Sequence, residues 1–175
     1  MKKTKGEIWI SAILYTALGI IIITIILGAG LPLINKIRDR NLVTQTKDLM
    51  HTLDNNIRKV ANEGPGSKRF ISPLVIDGGE LIIDDVNDRL IWSLQTKNKL
   101  AEPNIIFDEG SLNLFLNETN VEDEYLVNLE LNYEKMIDLK LSSEFQNPFM
   151  GEYSMSIEHD GTYTDSKPII VISVR

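Results

Sequence analysis

The chain has no cysteine. That excludes disulfides, thiolate metal sites and thiol nucleophiles, so any folded domain must be held by core packing alone. It has only two histidines, His51 and His159, and neither sits in a spacing suited to metal or nucleophilic chemistry. There is no phosphate-cradling glycine loop and no nucleophile elbow. No internal repeat or low-complexity segment is visible. No basic stripe with interleaved aromatics runs along the chain, which argues against a nucleic-acid partner. With no catalytic constellation, the sequence reads as a non-enzyme without a cofactor. An anchored hydrolase is a third-rank reading, and its mark would be a deep polar pocket with perturbed carboxylates.

The most informative absence is of charge. From Ile8 to Ile34, 27 consecutive residues carry none. About 20 apolar residues cross a bilayer core, and a lone span in lipid must be helical to satisfy its backbone. A cleaved secretory signal is the competing reading, with Gly28-Ala29-Gly30 imitating its cut site. Its apolar region runs to only about 15 residues, and here the pattern beyond continues as helix. Lys2, Lys3 and Lys5 precede the run, and Lys36, Arg38 and Arg40 follow it, so the flanking positive charges nearly balance. The rest of the charge does not. Residues 1–62 hold nine Lys/Arg against four Asp/Glu, net +5; residues 63–175 hold nine against 21, net −12. The short N-terminus and the acidic far domain favour a single-pass protein with the N-terminus inside and the head outside.

Beyond the span, Ile34, Ile37, Leu42, Leu49, Leu53, Ile57 and Val60 recur at three- and four-residue steps. Lys36, Arg38, Arg40, Lys47, Asp48, Asn55 and Arg58 form the opposite, polar face. Either the chain's own β domain or neighbouring subunits must cover the apolar stripe. Gly28, Gly30 and Pro32 predict a kink or loosened turn, and Gly64-Pro65-Gly66 a helix stop.

From Phe70 the period changes to two. Leu90–Trp92–Leu94, Leu112–Leu114–Leu116, Tyr125–Val127–Leu129–Leu131–Tyr133, Ile137–Leu139–Leu141, Tyr153–Met155–Ile157 and Ile170–Ile172–Val174 each alternate with more polar neighbours. Turn signals fall at Asp77-Gly78-Gly79, Val86-Asn87-Asp88, Asn147-Pro148 and His159-Asp160-Gly161. The fold class expected is α+β. A long transmembrane and amphipathic helix leads into seven to nine antiparallel strands, as a small sandwich or a sheet wrapped on the helix. Trp92, Leu129, Leu131, Leu139 and Ile172 are expected in the core. Asp84, Asp85, Asn87 and Asp88 could meet a calcium ion, but their spacing is not that of an EF-hand loop, and carboxylates at a turn are ordinary. Asn117-Glu118-Thr119 fits the N-glycosylation acceptor pattern, which places a glycan on Asn117 if the head is outside.

The N-terminus carries a family resemblance. Met1-Lys2-Lys3-Thr4-Lys5-Gly6-Glu7, running straight into IWISAILYTALGIIIITIILGAG, resembles the class III signal peptide of archaeal type IV pilin-like proteins. The resemblance implies a leader over residues 1–6, cut between Gly6 and Glu7 by a prepilin-type signal peptidase on the cytoplasmic side. It implies a membrane helix over 7–34, a helical extension over 35–63 and a β-rich extracellular head over 67–175. It also implies a structural role: a major or minor pilin that packs with copies of itself or other pilin-like subunits through the N-terminal helix. Many pilins carry glutamate five residues into the mature helix, thought to set register against a neighbour's amino terminus. This chain has Ser11 there. The alternative is therefore a membrane-anchored extracellular binding or adhesion module that does not polymerise.

Overall fold

The structure is a computed structural model that describes residues 5–121, 123–143 and 147–175; Met1 to Thr4 of the expected leader lie outside it. One helix, α1 (Lys5–Glu63), precedes eight strands: β1 (Lys68–Asp84), β2 (Arg89–Thr96), β3 (Ile106–Glu109), β4 (Leu112–Glu118), β5 (Tyr125–Asn132), β6 (Asp138–Ser143), β7 (Phe149–Thr164) and β8 (Lys167–Val174). The fold is α+β. Two compact units divide the chain, residues 1–38 and 39–175.

In the first unit α1 is apolar all round. Its most apolar 18-residue window has a mean hydropathy of 2.6, and none of that window is buried. This helix is long and apolar enough to cross a membrane. The hydroxyl of Thr24, a polar group within the run, donates to the Ile20 carbonyl at 2.8 Å, so it needs no partner outside the helix. The sequence predicts a kink or loosened turn at Gly28–Pro32, yet every residue there is α-helical. Proline removes one ladder N–H and crowds the carbonyl four residues back, here that of Gly28; neither loss ends this helix.

In the second unit the helix is amphipathic. Val43, Thr46, Met50, Leu53, Asp54, Ile57 and Val60 are buried, at steps of three and four with one adjacent pair. The expected stripe is thus rotated slightly. Leu42 and Leu49 flank the seam, half-buried, while Val43 and Met50 occupy its centre. The helix ends at Glu63, where Gly64 and Gly66 adopt left-handed φ of 89° and 83°, and the Ser67 hydroxyl accepts duty as a cap by donating to the Val60 carbonyl.

The strands form one sheet in the order β3-β4-β5-β2-β1-β7-β8-β6. A single sheet packed against the helix therefore replaces the sandwich alternative. All neighbours are antiparallel except β6 and β8, which pair in parallel from Asp138↔Ile169 to Ser143↔Val174. The β7–β8 hairpin returns the chain so that β8 runs in the direction of β6, and the expectation of purely antiparallel pairing fails there. The inward positions of β1, β2, β4, β5, β6, β7 and β8 join the helix seam in one core, and Trp92, Leu129, Leu131, Leu139 and Ile172 are all completely buried in it.

Two expected turns lie inside strands. Asp77-Gly78-Gly79 falls within β1, between pairing registers at Ile76 and Leu81. His159-Asp160-Gly161 falls within β7, between His159 and Tyr163. Both are bulges, which bend a long strand without ending it. The first is keyed to the core. The Trp92 indole N–H donates to the Gly78 carbonyl at 2.9 Å, and Gly79 holds a φ of 71°. A Cβ on Gly79 would stand 2.5 Å from the Ser93 carbonyl oxygen and 2.7 Å from the Trp92 ring. Gly79→Ala should destabilise the head by roughly 1–3 kcal/mol, through left-handed strain plus this clash. Thermal melting checks it; an unchanged midpoint would show that the bulge is not fixed by Trp92.

Candidate functional site

His51 sits half-buried on α1 and His159 is buried in β7, so the histidines belong to separate elements. The Gly161 N–H donates to His159 Nδ1 at 3.0 Å, and the ring meets Tyr163 edge-on at 5.4 Å. Among the described residues no group of three or more His, Cys, Asp or Glu side chains is placed to hold a metal ion. The acidic turn after β1 is occupied by its own donors. Asp84 accepts the backbone N–H of Val86 and Asn87, the Asn87 amide and the Arg89 guanidinium. The Asn87 side chain, opposed by desolvation and reinforced by the backbone N–H groups and Arg89, holds its carboxyl below the ordinary range. Asp88 accepts the Leu139 N–H at 2.9 Å.

A buried polar hub is present that the hydrophobic pattern did not reveal. Asp54, in the apolar seam of α1, accepts the Tyr133 hydroxyl at 2.9 Å, the Ser111 hydroxyl at 2.6 Å and Arg58 Nε at 2.7 Å. Arg58 also lies over the Tyr133 ring, 5.7 Å from its centroid. Burial pushes the Tyr133 hydroxyl far up, and the Asp54 charge adds to it, so Tyr133 acts only as a donor. A second carboxylate, Asp39, accepts the Thr96 hydroxyl and, at 2.8 Å, the Asn98 amide. The helix is thus pinned to the head at points fifteen residues apart, about 22 Å along its axis. The i, i+4 spacing of Asp54 and Arg58 was the one available signal for the hub. These contacts orient the helix against the sheet.

The other candidate surface is the first unit of α1. From Trp9 to Ile37 its large apolar side chains stand exposed. Gly19, Gly28 and Gly30 have open space where a Cβ would project. At 100° per residue, Ala12, Thr16, Gly19 and Gly30 share one face with Ile23 and Ile26, while Ala17, Thr24 and Gly28 share another, about 140° away. Gly6 and Glu7, the expected cleavage junction, fall in the first turn of α1, and their side chains lie outside the described residues. Asn117 is exposed near the end of β4, paired with Leu126 across the ladder. The Thr119 hydroxyl of its triplet donates to the Glu124 carbonyl at 3.1 Å.

Comparison with protein-family models, curated proteins and solved structures finds no match to this chain.

The hub makes a quantitative prediction. Tyr133→Phe should cost about 1.5–3 kcal/mol, since it removes a hydrogen bond to a charged, buried group. Asp54→Ala should cost more, roughly 3–5 kcal/mol, because it strands three donors. Denaturant unfolding of the single and double variants should give a coupling of at least about 1 kcal/mol; additivity within about 0.5 kcal/mol would contradict a shared hub.

Proposed function

We propose that this chain is a structural subunit, major or minor, of an archaeal type IV pilus-like surface filament. One observation carries the reading: a single helix that is apolar on every side over its first unit and amphipathic over the turns that seat on a β-sheet head. An all-round apolar helix can exchange lipid for protein neighbours at little cost, since both surroundings are equally apolar. Small residues on two faces about 140° apart allow close approach on more than one side. A dimer needs only one such face; a helical bundle in a filament core needs several. The Lys5-Gly6-Glu7 junction before the apolar run supports processing by a prepilin-type peptidase. In this reading the N-terminus begins inside, the acidic head stands outside, and Asn117 carries a glycan.

Ser11 favours a second reading, in which the chain is an anchored extracellular binding or adhesion module that never polymerises. The pilin-like glutamate that would meet a neighbour's amino terminus is not at that position.

Shearing filaments from native cells separates the two. The filament reading predicts that this chain is recovered in them, with a glycopeptide at Asn117. Gly19→Leu combined with Ala12→Leu should abolish recovery and leave the chain inserted in the membrane with a folded head. Failure to recover the wild-type chain in filaments under every growth condition tested would leave the anchored module. Unmodified Asn117 alone would remove the glycan.

A further inference from the structure

Leu112, Leu114 and Leu116 of β4 are buried in the core, so the alternate residues Asn113, Phe115 and Asn117 point to the outer face of the sheet. Phe115 therefore precedes Asn117 by two positions on one strand and one face, with their Cα atoms about 7 Å apart. The ladder brings two more apolar side chains to that face. Ile106 of β3 stands opposite Phe115, and Leu126 of β5 stands opposite Asn117. Phe115 and Leu126 are half-buried, while Ile106 is 65% exposed on a strand at the sheet's edge. None of the three belongs to the core. Asn117 is exposed, so anything attached to its amide leaves the sheet from this patch.

We propose that these side chains seat the first sugar of a glycan on Asn117, a neutral pyranose, with its C–H face on the Phe115 ring and its rim against Leu126 and Ile106. The seat rests on the glycan of the filament reading, and it serves an anchored module equally. Its chemistry suits a sugar. A pyranose presents C–H groups of slight positive charge on one face, and an aromatic ring carries negative charge on its own. The sugar hydroxyls stay at the rim in water, so the contact strands no polar group. The ligand is uncharged, so the acidic head does not repel it. The covalent tether removes most of the association cost that a free sugar would meet. Seated in this way, the sugar covers apolar surface beside a free strand edge, where another chain could otherwise pair.

Because the chain has no cysteine, Asn117→Cys gives a single attachment point. The full-length variant in detergent micelles is coupled through a thioether to isotope-labelled N-acetylglucosamine, and the same variant capped with iodoacetamide is the reference. The sugar ring protons should move upfield and show NOEs to the Phe115 ring. The melting midpoint should rise by about 2–6 °C over the capped form. Phe115→Leu should abolish both the upfield shift and the rise, whereas Phe115→Tyr should keep both. The same sugar on Ser142→Cys, an exposed position of β6 whose ladder partner is Ser173, should give neither. Should Phe115→Leu fail to fold, the NOEs to Phe115 decide alone. Sugar protons at their free shifts, or an equal rise in Phe115→Leu or at Ser142, overturn the proposal. Unmodified Asn117 in protein from the native membrane overturns it separately, because the seat then has no natural occupant. A sugar that stacks in micelles would in that case show that the glycan, not the seat, is what fails.

Discussion

One helix has to satisfy two solvents. Over its first unit the described part of α1 is long and apolar enough to cross a membrane, and its large apolar side chains stand exposed. Over its second unit the same helix carries a narrow buried seam, Val43 to Val60, and a charged remainder. A seam of this kind has no stability alone, because an isolated amphipathic helix of this length is marginal in water. It is stable here because the sheet supplies the opposite wall of the core. The head's architecture follows from that need: one sheet, one helix, one core.

A purely apolar seam would let the helix slide or rotate on the sheet. Asp54 and Asp39 remove that freedom. Each carboxylate accepts donors that reach it from the β region, Tyr133 and Ser111 at one point and Thr96 and Asn98 at the other. Burying a charge is costly, and the cost is offset only in the register where all donors arrive. The bulge at Gly78–Gly79 serves the same end within the sheet. It lets one 17-residue strand pair with β7 along its first part and with β2 along its last, while the Trp92 indole remains satisfied.

Much of this was legible in the sequence because it is written in periodicity. The charge-free run from Ile8 to Ile34, the stop at Gly64-Pro65-Gly66 and the alternation in β2, β4, β5 and β8 each appear where the pattern puts them. The misreadings share a cause: local chemistry has more than one structural solution. Asp-Gly-Gly and Asp-Gly usually mark turns, yet inside a strand that must bend they make bulges. Pro32 signals a break, yet the helix absorbs it. The parallel β6–β8 pair depends on which edge a returning strand finds, and no local pattern encodes that. Beyond its i, i+4 spacing to Arg58, Asp54 gave no sign of its role, because an acid on the apolar face looks like noise until Tyr133 and Ser111 arrive from 79 and 57 residues away.

The functional proposal turns on what happens at the first seven residues. A plain anchor keeps its basic N-terminus, whereas a pilin-like subunit loses it before its helix enters a filament. The intact mass of the protein isolated from its native membrane decides between them. A mature chain beginning at Glu7 is the result predicted; a chain that still begins at Met1, or one that begins at Leu31 after a secretory-type cut, would contradict it.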